Sequence, residues 1–136
     1  MSNIEQTLSI IKPDAVERNL ENKIKEMFKN NGFNVLKEKK IQIAKSEAEQ
    51  FYKVHETKPF YNDLCAYLSS GPIVVMVLEK DDALLGNRKL MGATNPKDAD
   101  EGTIRKKYGI SIDKNSVHGS DSIENAKIEI NFFFKD

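Results

Sequence analysis

The chain has 136 residues, a common size for one folded domain, and balances 21 basic against 21 acidic side chains. Zero net charge removes the sequence-independent attraction that a nucleic-acid coat or an anionic-membrane binder relies on, and one cysteine beside two histidines supplies neither an internal disulfide nor a structural zinc cluster. The longest apolar run, Ile73 to Leu78, is six residues against the roughly 20 that span a bilayer, and Met1 to Glu5 lacks the basic and apolar regions of a signal peptide, so a soluble, cytoplasmic protein with one domain over residues 1–136 is expected.

Ile4 to Ile11 is mostly apolar and ends in Lys12-Pro13-Asp14; proline halts the strand ladder, so a strand delivers Lys12 at its end. Leu20, Ile24, Met27 and Phe28 share one helical face, with Asn19 placed to cap the start and Gly32 to end it. Phe33, Val35, Ile41 and Ile43 fall on the odd-numbered face of a second extended run, whose middle, Lys37 and Lys39, is exposed or bent. Ser46 and Glu49 have capping-box spacing ahead of Phe51-Tyr52, and a further helix pattern runs from Phe60 through Leu64 and Tyr67 to Ser70-Gly71-Pro72. Cys65 lies on the apolar side of that helix and reads as a buried, inert thiol. Ile73 to Leu78, apolar on both faces and rich in β-branched residues, predicts the central strand. Asp81 or Asp82 caps a helix through Leu84, Leu85 and Met91 that ends at Gly92. Ala93 to Val117 is polar and punctuated by Gly and Pro, save a short helical stretch at Thr103 to Tyr108, and so long a loop in so small a domain is functional or disordered. Asp121 with Glu124 has capping-box spacing before a last helix with Ile123, Ala126, Ile130 and Phe133 on one face. The order predicts an α+β sandwich, helices packed on a small, mainly antiparallel sheet.

The chemistry gathers near the long loop. His118 is followed by Gly119, which permits close backbone approach, and precedes a helix N-terminus able to face an anion. A neutral imidazole is a competent nucleophile near neutral pH, provided that a carboxylate holds its other ring nitrogen; Glu124 and Glu129 are both candidates. Against eighteen lysines there are only Arg18, Arg88 and Arg105, and two of these bracket the start of the loop, where a planar guanidinium would grip phosphate through paired hydrogen bonds. Thr94, Asn115 and Lys12 add donors for phosphate or sugar oxygens. The chain has no GxxxxGK[ST] loop and no GxGxxG turn, so a nucleotide would bind another way, and Phe60 between Pro59 and Tyr61 could offer a stacking face.

These residues resemble the nucleoside diphosphate kinase family over essentially the full chain. The resemblance rests on Asn115-Ser116-Val117-His118-Gly119-Ser120-Asp121-Ser122, with support from Thr7 to Asp14, His55 through Lys58-Pro59-Phe60-Tyr61, Asn87 to Pro96 and Gly102 to Arg105, five blocks in the right order. It implies a ferredoxin-like α/β sandwich with a four-stranded, mainly antiparallel sheet. It also implies that His118 takes the γ-phosphate of a nucleoside triphosphate, ATP being the expected main donor, and passes it to a nucleoside diphosphate in a ping-pong cycle. By the same resemblance Glu129 orients the imidazole, Ser120 supports it, Lys12 and Tyr52 lie near the transferred group, Arg88, Thr94 and Arg105 hold the phosphates, Asn115 with Lys12 meets the ribose, and Phe60 stacks on the base. Magnesium would arrive on the nucleotide, and the chain would assemble as a homo-oligomer, tetramer or hexamer. Lys80, Lys106-Lys107 and Tyr108 depart from the usual family pattern. Two rivals compete: an RNA-binding module, disfavoured by aliphatic strands and zero net charge, and a catalytically weak regulatory relative, disfavoured by the intact site residues.

Overall fold

Apolar content and a proline stop generate strand β1 (Ile4–Ile11), and Pro13 then takes the first position of a short helix, α1 (Pro13–Glu17), where its missing N–H leaves no bond unmade. The computed structural model describes residues 4–112 and 114–134, with the backbone alone at Val54, so Met1 to Asn3 of the leader argument lie outside the described residues. Helix α2 (Glu21–Asn30) buries Ile24 and Phe28. It ends as its sequence predicts: Gly32 turns left-handed at φ 87°, its N–H reaches the Lys29 carbonyl, and the Phe33 N–H reaches that of Phe28. The rings of Phe28 and Phe33 then meet edge-on at 5.6 Å, closing the cap with an apolar contact. Asn19 does not cap this helix; it sits one residue earlier at φ 60°, and Leu20 takes the N-cap position.

The sheet has four strands in the order β2-β3-β1-β4, every pairing antiparallel, with β2 (Asn34–Ile41) outermost, β3 (Ile73–Asp81) and β1 in the middle and β4 (Val117–Gly119) at the other edge. This strand order with all-antiparallel pairing makes the fold ferredoxin-like, and helices cover both faces of the sheet. Pairing parity sorts the core. Val74, Met76 and Leu78 join Ile11, Ile24, Phe28 and Met91 on one face, while Ile73 and Val75 join Leu8, Ile10, Ala48, Leu68 and Phe133 on the other. Strand β2 departs from the single odd-numbered face expected of it. A bulge between Val35 and Lys37 shifts the register, so Val35 and Phe33 pack on the first face and Ile41 and Ile43 on the second.

Helices α3 (Lys45–Phe51) and α4 (Tyr61–Leu68) pack against each other on the second face, joined by a 310 turn at Lys53–His55 and the turn residues that follow it. The first of them starts at Ala44, not at Ser46; the Ala44 N–H donates to the Glu47 carboxylate at 3.1 Å, a half of the capping box displaced by two residues. Helix α5 (Ala83–Met91) ends at Gly92 (φ 85°) as expected, and its Leu84 N–H donates to Glu5 of β1 at 3.1 Å in place of a cap by Asp82. The long loop is ordered by a 310 turn at Pro96–Asp98, with Asn95 as cap, and by α6 (Ile104–Tyr108), capped by Thr103. Helix α7 (Ile123–Phe133) is capped by the Ser122 hydroxyl, which accepts from the Asn125 N–H at 3.1 Å; Asp121 instead accepts from the Asn125 side chain. No helix among the described residues is long and apolar enough to cross a membrane.

Candidate active site

In β4, His118 pairs with Ile10, so its side chain emerges on the face covered by α7 and by the α3–α4 pair. There its Nε2 lies 3.1 Å from Glu129 Oε1, and the Ser120 hydroxyl donates to the same oxygen at 2.8 Å. A carboxylate only accepts, so in the neutral ring Nε2 carries the proton and the lone pair lies on Nδ1. Glu124, the other candidate orienter, is exposed to solvent. Phe51 packs edge-on against the imidazole at 5.3 Å and Tyr52 at 6.3 Å, which fixes the ring plane from the side. Burial, then the charge of Glu129, then Cys65, pushes the Tyr52 phenol well above its ordinary value, so it stays a proton donor at neutral pH. Cys65 itself is buried and its thiol is pushed up by burial, as an inert core thiol should be.

On the opposite face, Gly119 lies against α5. A Cβ there would sit 2.4 Å from Asn87 Nδ2 and 2.7 Å from Met91 Cε, so only glycine lets β4 approach this closely. Two adjoining hollows flank His118. One, of about 450 Å³, is lined by His55, Arg88, Gly92, Thr94 and Arg105. The other, of about 380 Å³, is lined by Lys12, Tyr52, Phe60, Leu64, Ile112 and Asn115, and both share Thr94, Arg105 and His118. A groove of about 750 Å³ lies elsewhere, between the start of β1 and α7, but its lining includes neither histidine nor arginine.

The cleft is built to receive an anion. Arg105 spends two of its donors on the carbonyls of Gly92 (3.1 Å) and Val117 (2.9 Å), which hold the guanidinium rigidly beside His118. Burial and then the neighbouring Arg88 push it down to about 10, and among the described residues neither arginine has an ion pair. Two close cations in a partly dry site are a standing electrostatic cost that a polyphosphate would offset. Lys12 is buried and donates from Nζ to Asn115 Oδ1 at 2.9 Å, and the Asn115 amide donates to the Thr94 carbonyl at 3.1 Å, linking β1, the long loop and the turn before β4. Phe60, 47% exposed at the N-terminal end of α4, has Lys58 Nζ 5.8 Å from its ring centre.

All ten residues singled out from the sequence surround this cleft or support its histidine: Lys12, Tyr52, Phe60, Arg88, Thr94, Arg105, Asn115 and His118 line it, and Ser120 and Glu129 stand behind the imidazole. Arg18 does not join them; it pairs with Asp14 at 3.0 Å. The first residues of α7 do not line the cleft either, so its N-terminus is not the anion site that the sequence suggested. His55, Leu64 and Ile112 were not singled out. His55 has a buried Nδ1 without a partner among the described residues and its ring lies 6.0 Å from Phe60, while Leu64 and Ile112 add apolar wall near that ring; His55 and Ile112 stand on turns, which leave no periodic signal, and Leu64 reads from the sequence only as part of the apolar face of α4.

The sequence model of the family described as nucleoside diphosphate kinase matches residues 5–136. The chain is 58% identical over 132 residues to the nucleoside diphosphate kinase of Campylobacter jejuni serotype O:6, covering 97% of this chain and 96% of that one. It is likewise 58% identical over 131 residues to that of Wolinella succinogenes, covering 96% of each. Among solved structures it is similar to the Aquifex aeolicus nucleoside diphosphate kinase, with a TM-score of 0.96 at 38% identity over 98% of this chain and 96% of that one. The Encephalitozoon cuniculi enzyme follows, with a TM-score of 0.93 at 38% identity over 97% and 90%.

Proposed function

Since the chain belongs to the nucleoside diphosphate kinase family and is thus a phosphotransferase between nucleotides, we propose that residues 1–136 act as one domain that carries the phosphate on His118 in a ping-pong cycle. The observation that carries this reading is the Nε2–H contact to Glu129, which leaves Nδ1 as the nucleophile in a cleft lined by Arg105, Arg88 and Lys12. The Nδ1 lone pair attacks the γ-phosphorus in line, the bond to the bridging β,γ-oxygen breaks, and the nucleoside diphosphate leaves with those electrons. An oxygen of the terminal phosphate of a second nucleoside diphosphate then attacks the phosphohistidine, and the imidazole regains its lone pair. Arg88, Thr94 and Arg105 hold the phosphates, Lys12 and the Tyr52 phenol meet the charge spreading over the transferred oxygens, and Asn115 with Lys12 reaches the ribose. Ser120 keeps Glu129 aimed at the ring.

The residues lining the two hollows include no carboxylate, which supports a magnesium ion that enters on the phosphates of the substrate; ATP is read as the main donor. Around Phe60 the wall is made of Leu64 and Ile112, so base recognition rests on stacking and apolar contact, which supports tolerance of several bases and both sugars. The chain is also read as a subunit of a tetramer or hexamer, a reading supported by the exposed apolar side chains Leu36, Ile110 and Ile128, and sedimentation of the purified protein checks it. Nothing in the charge or the strands favours nucleic acid as a partner. The decisive test is incubation with γ-labelled ATP and magnesium but no acceptor. Label mapped to His118 that a nucleoside diphosphate removes is the expected result, and folded, nucleotide-binding protein without label overturns the mechanism.

A further inference from the structure

Asp14 takes no part in the chemistry above, yet it is buried at 5% exposure and its carboxylate is fully engaged. Oδ1 accepts the Tyr67 hydroxyl from α4, while Oδ2 accepts Arg18 Nη2 at 3.0 Å and the Ser116 hydroxyl at 3.2 Å. The Tyr67 oxygen in turn accepts the Asp14 N–H at 2.9 Å. That N–H is one of the donors left over in the first turn of α1, because Lys12 at the N-cap offers no side-chain acceptor. Ser116, the next link, has φ 77°, a left-handed conformation that L side chains rarely adopt. Its hydroxyl is tied to Asp14 and to Arg18, and its carbonyl accepts the Lys12 N–H at 2.8 Å. Ser116 follows Asn115, the partner of Lys12 Nζ, and stands two residues before His118.

We infer that Tyr67 is a positioning residue for phosphoryl transfer, acting through Asp14 and Ser116 to set Lys12 and Asn115 against His118. The inference rests on the reaction proposed above. Tyr67 lines neither hollow and so acts at one remove from substrate. It belongs to the helix whose N-terminal end carries Phe60, so one rigid element references the base end of the cleft to its phosphate end. Burial, followed by the hydrogen bond and charge of Asp14, holds the phenol well above its ordinary value, so it remains a donor at neutral pH.

Tyr67→Phe keeps the ring and deletes the oxygen. In a single turnover with magnesium-ATP and no acceptor, the rate of His118 phosphorylation should fall about tenfold, while Kd for ADP moves by less than about twofold, because misaligned groups lose rate without losing the phosphate contacts. Ser116→Ala should give the same split, and combining the two should cost no more than either alone, as expected of residues in one chain of contacts. Amide exchange at Lys12 should quicken in Tyr67→Phe, which a rate loss of unrelated origin would not produce. A Tyr67→Phe protein with the wild-type rate, a loss wholly in ADP affinity, or additive losses in the double variant would each overturn the assignment. If wild-type protein takes no label, the reaction itself falls; Lys12 exchange then decides the positioning alone, and unchanged exchange refutes it.

Discussion

Glu129→Gln isolates the charge that the site holds behind His118, the proposed nucleophile. The amide oxygen of glutamine can still accept from His118 Nε2 and from Ser120, whose donors lie 3.1 Å and 2.8 Å from the present carboxylate oxygen, so the tautomer survives and only the negative charge is lost. That charge matters most once Nδ1 has bonded to phosphorus and the ring is cationic. A bare Coulomb attraction at this distance would be about 5 kcal/mol at an effective dielectric constant of about 20. Both side chains are reached by solvent, at 20% and 16% exposure, and the smaller difference between a charged and a neutral hydrogen bond, about 1–2 kcal/mol, is the better guide. This predicts a fall of about 5- to 30-fold in the rate of His118 phosphorylation. Glu129 lines neither hollow, so the affinity for ATP should stay within about twofold. Rapid-quench mixing with magnesium-ATP, read by intact mass, measures both. Glu129→Ala should be worse, because it also frees the ring and leaves the buried Ser120 hydroxyl without its acceptor, at a further cost to stability of about 1–3 kcal/mol. A glutamine variant that phosphorylates at the wild-type rate, or whose whole deficit lies in ATP affinity, would refute this reasoning.

Phe60→Ala should weaken ADP, GDP and dTDP by similar factors, corresponding to about 1–3 kcal/mol for a lost stack; calorimetric titration checks it, and a strongly base-dependent loss contradicts recognition by a π-face. Gly119→Ala drives a Cβ into Asn87 and Met91 and should destabilise the fold by about 1–3 kcal/mol in urea titration while slowing phosphorylation; unchanged stability would remove the close-approach argument. The pH prediction concerns Arg105, whose folded-state value, about 10, lies below the ordinary 12.5. A cation depressed in this way costs the nucleotide-free fold stability at neutral pH, and the cost is relieved as pH rises through about 10. Bound phosphates favour the charged form, so the thermal stabilisation by ADP should shrink as pH rises through about 10. Arg105→Met should lose that step together with most ADP affinity, and an identical pH profile in both proteins would refute the assignment.

Much of the scaffold is legible locally. The six apolar residues of β3, the Phe28-to-Phe33 cap around Gly32 and the stop at Gly92 each depend on neighbours in sequence, and each formed where its residues indicate. What failed was the placing of helix starts: Ala44 took the N-cap ahead of Ser46 although alanine has no side-chain acceptor, with Glu47 reaching back to its N–H, and Ser122 displaced Asp121, each by a shift of one or two residues. Strand β4 left no trace because three residues, Val-His-Gly, are too few to show a period and include glycine, which disfavours strands; pairing with β1 creates it. Helix α1 was missed for the same reason, since five residues cannot sustain a helix without the tertiary support that Tyr67 lends to its first turn.

The sequence by itself determined which side chains to look for at the cleft, because binding a phosphate, a ribose and a base would each demand particular residue types and those types stand in five recognisable blocks. The tertiary structure alone decided how they meet. Glu124 and Glu129 are equally good carboxylates on paper, but five residues at about 100° each set them about 140° apart on α7, so only one can face the sheet. Which one does depends on the face from which His118 emerges, and that is fixed by its pairing with Ile10 of β1, more than a hundred positions away in the chain. The same holds for the bulge at Val35 and Lys37, where a one-residue slip against β3 sends two halves of a strand to opposite cores. Register and parity are relations between strands, and no window along a single strand contains them.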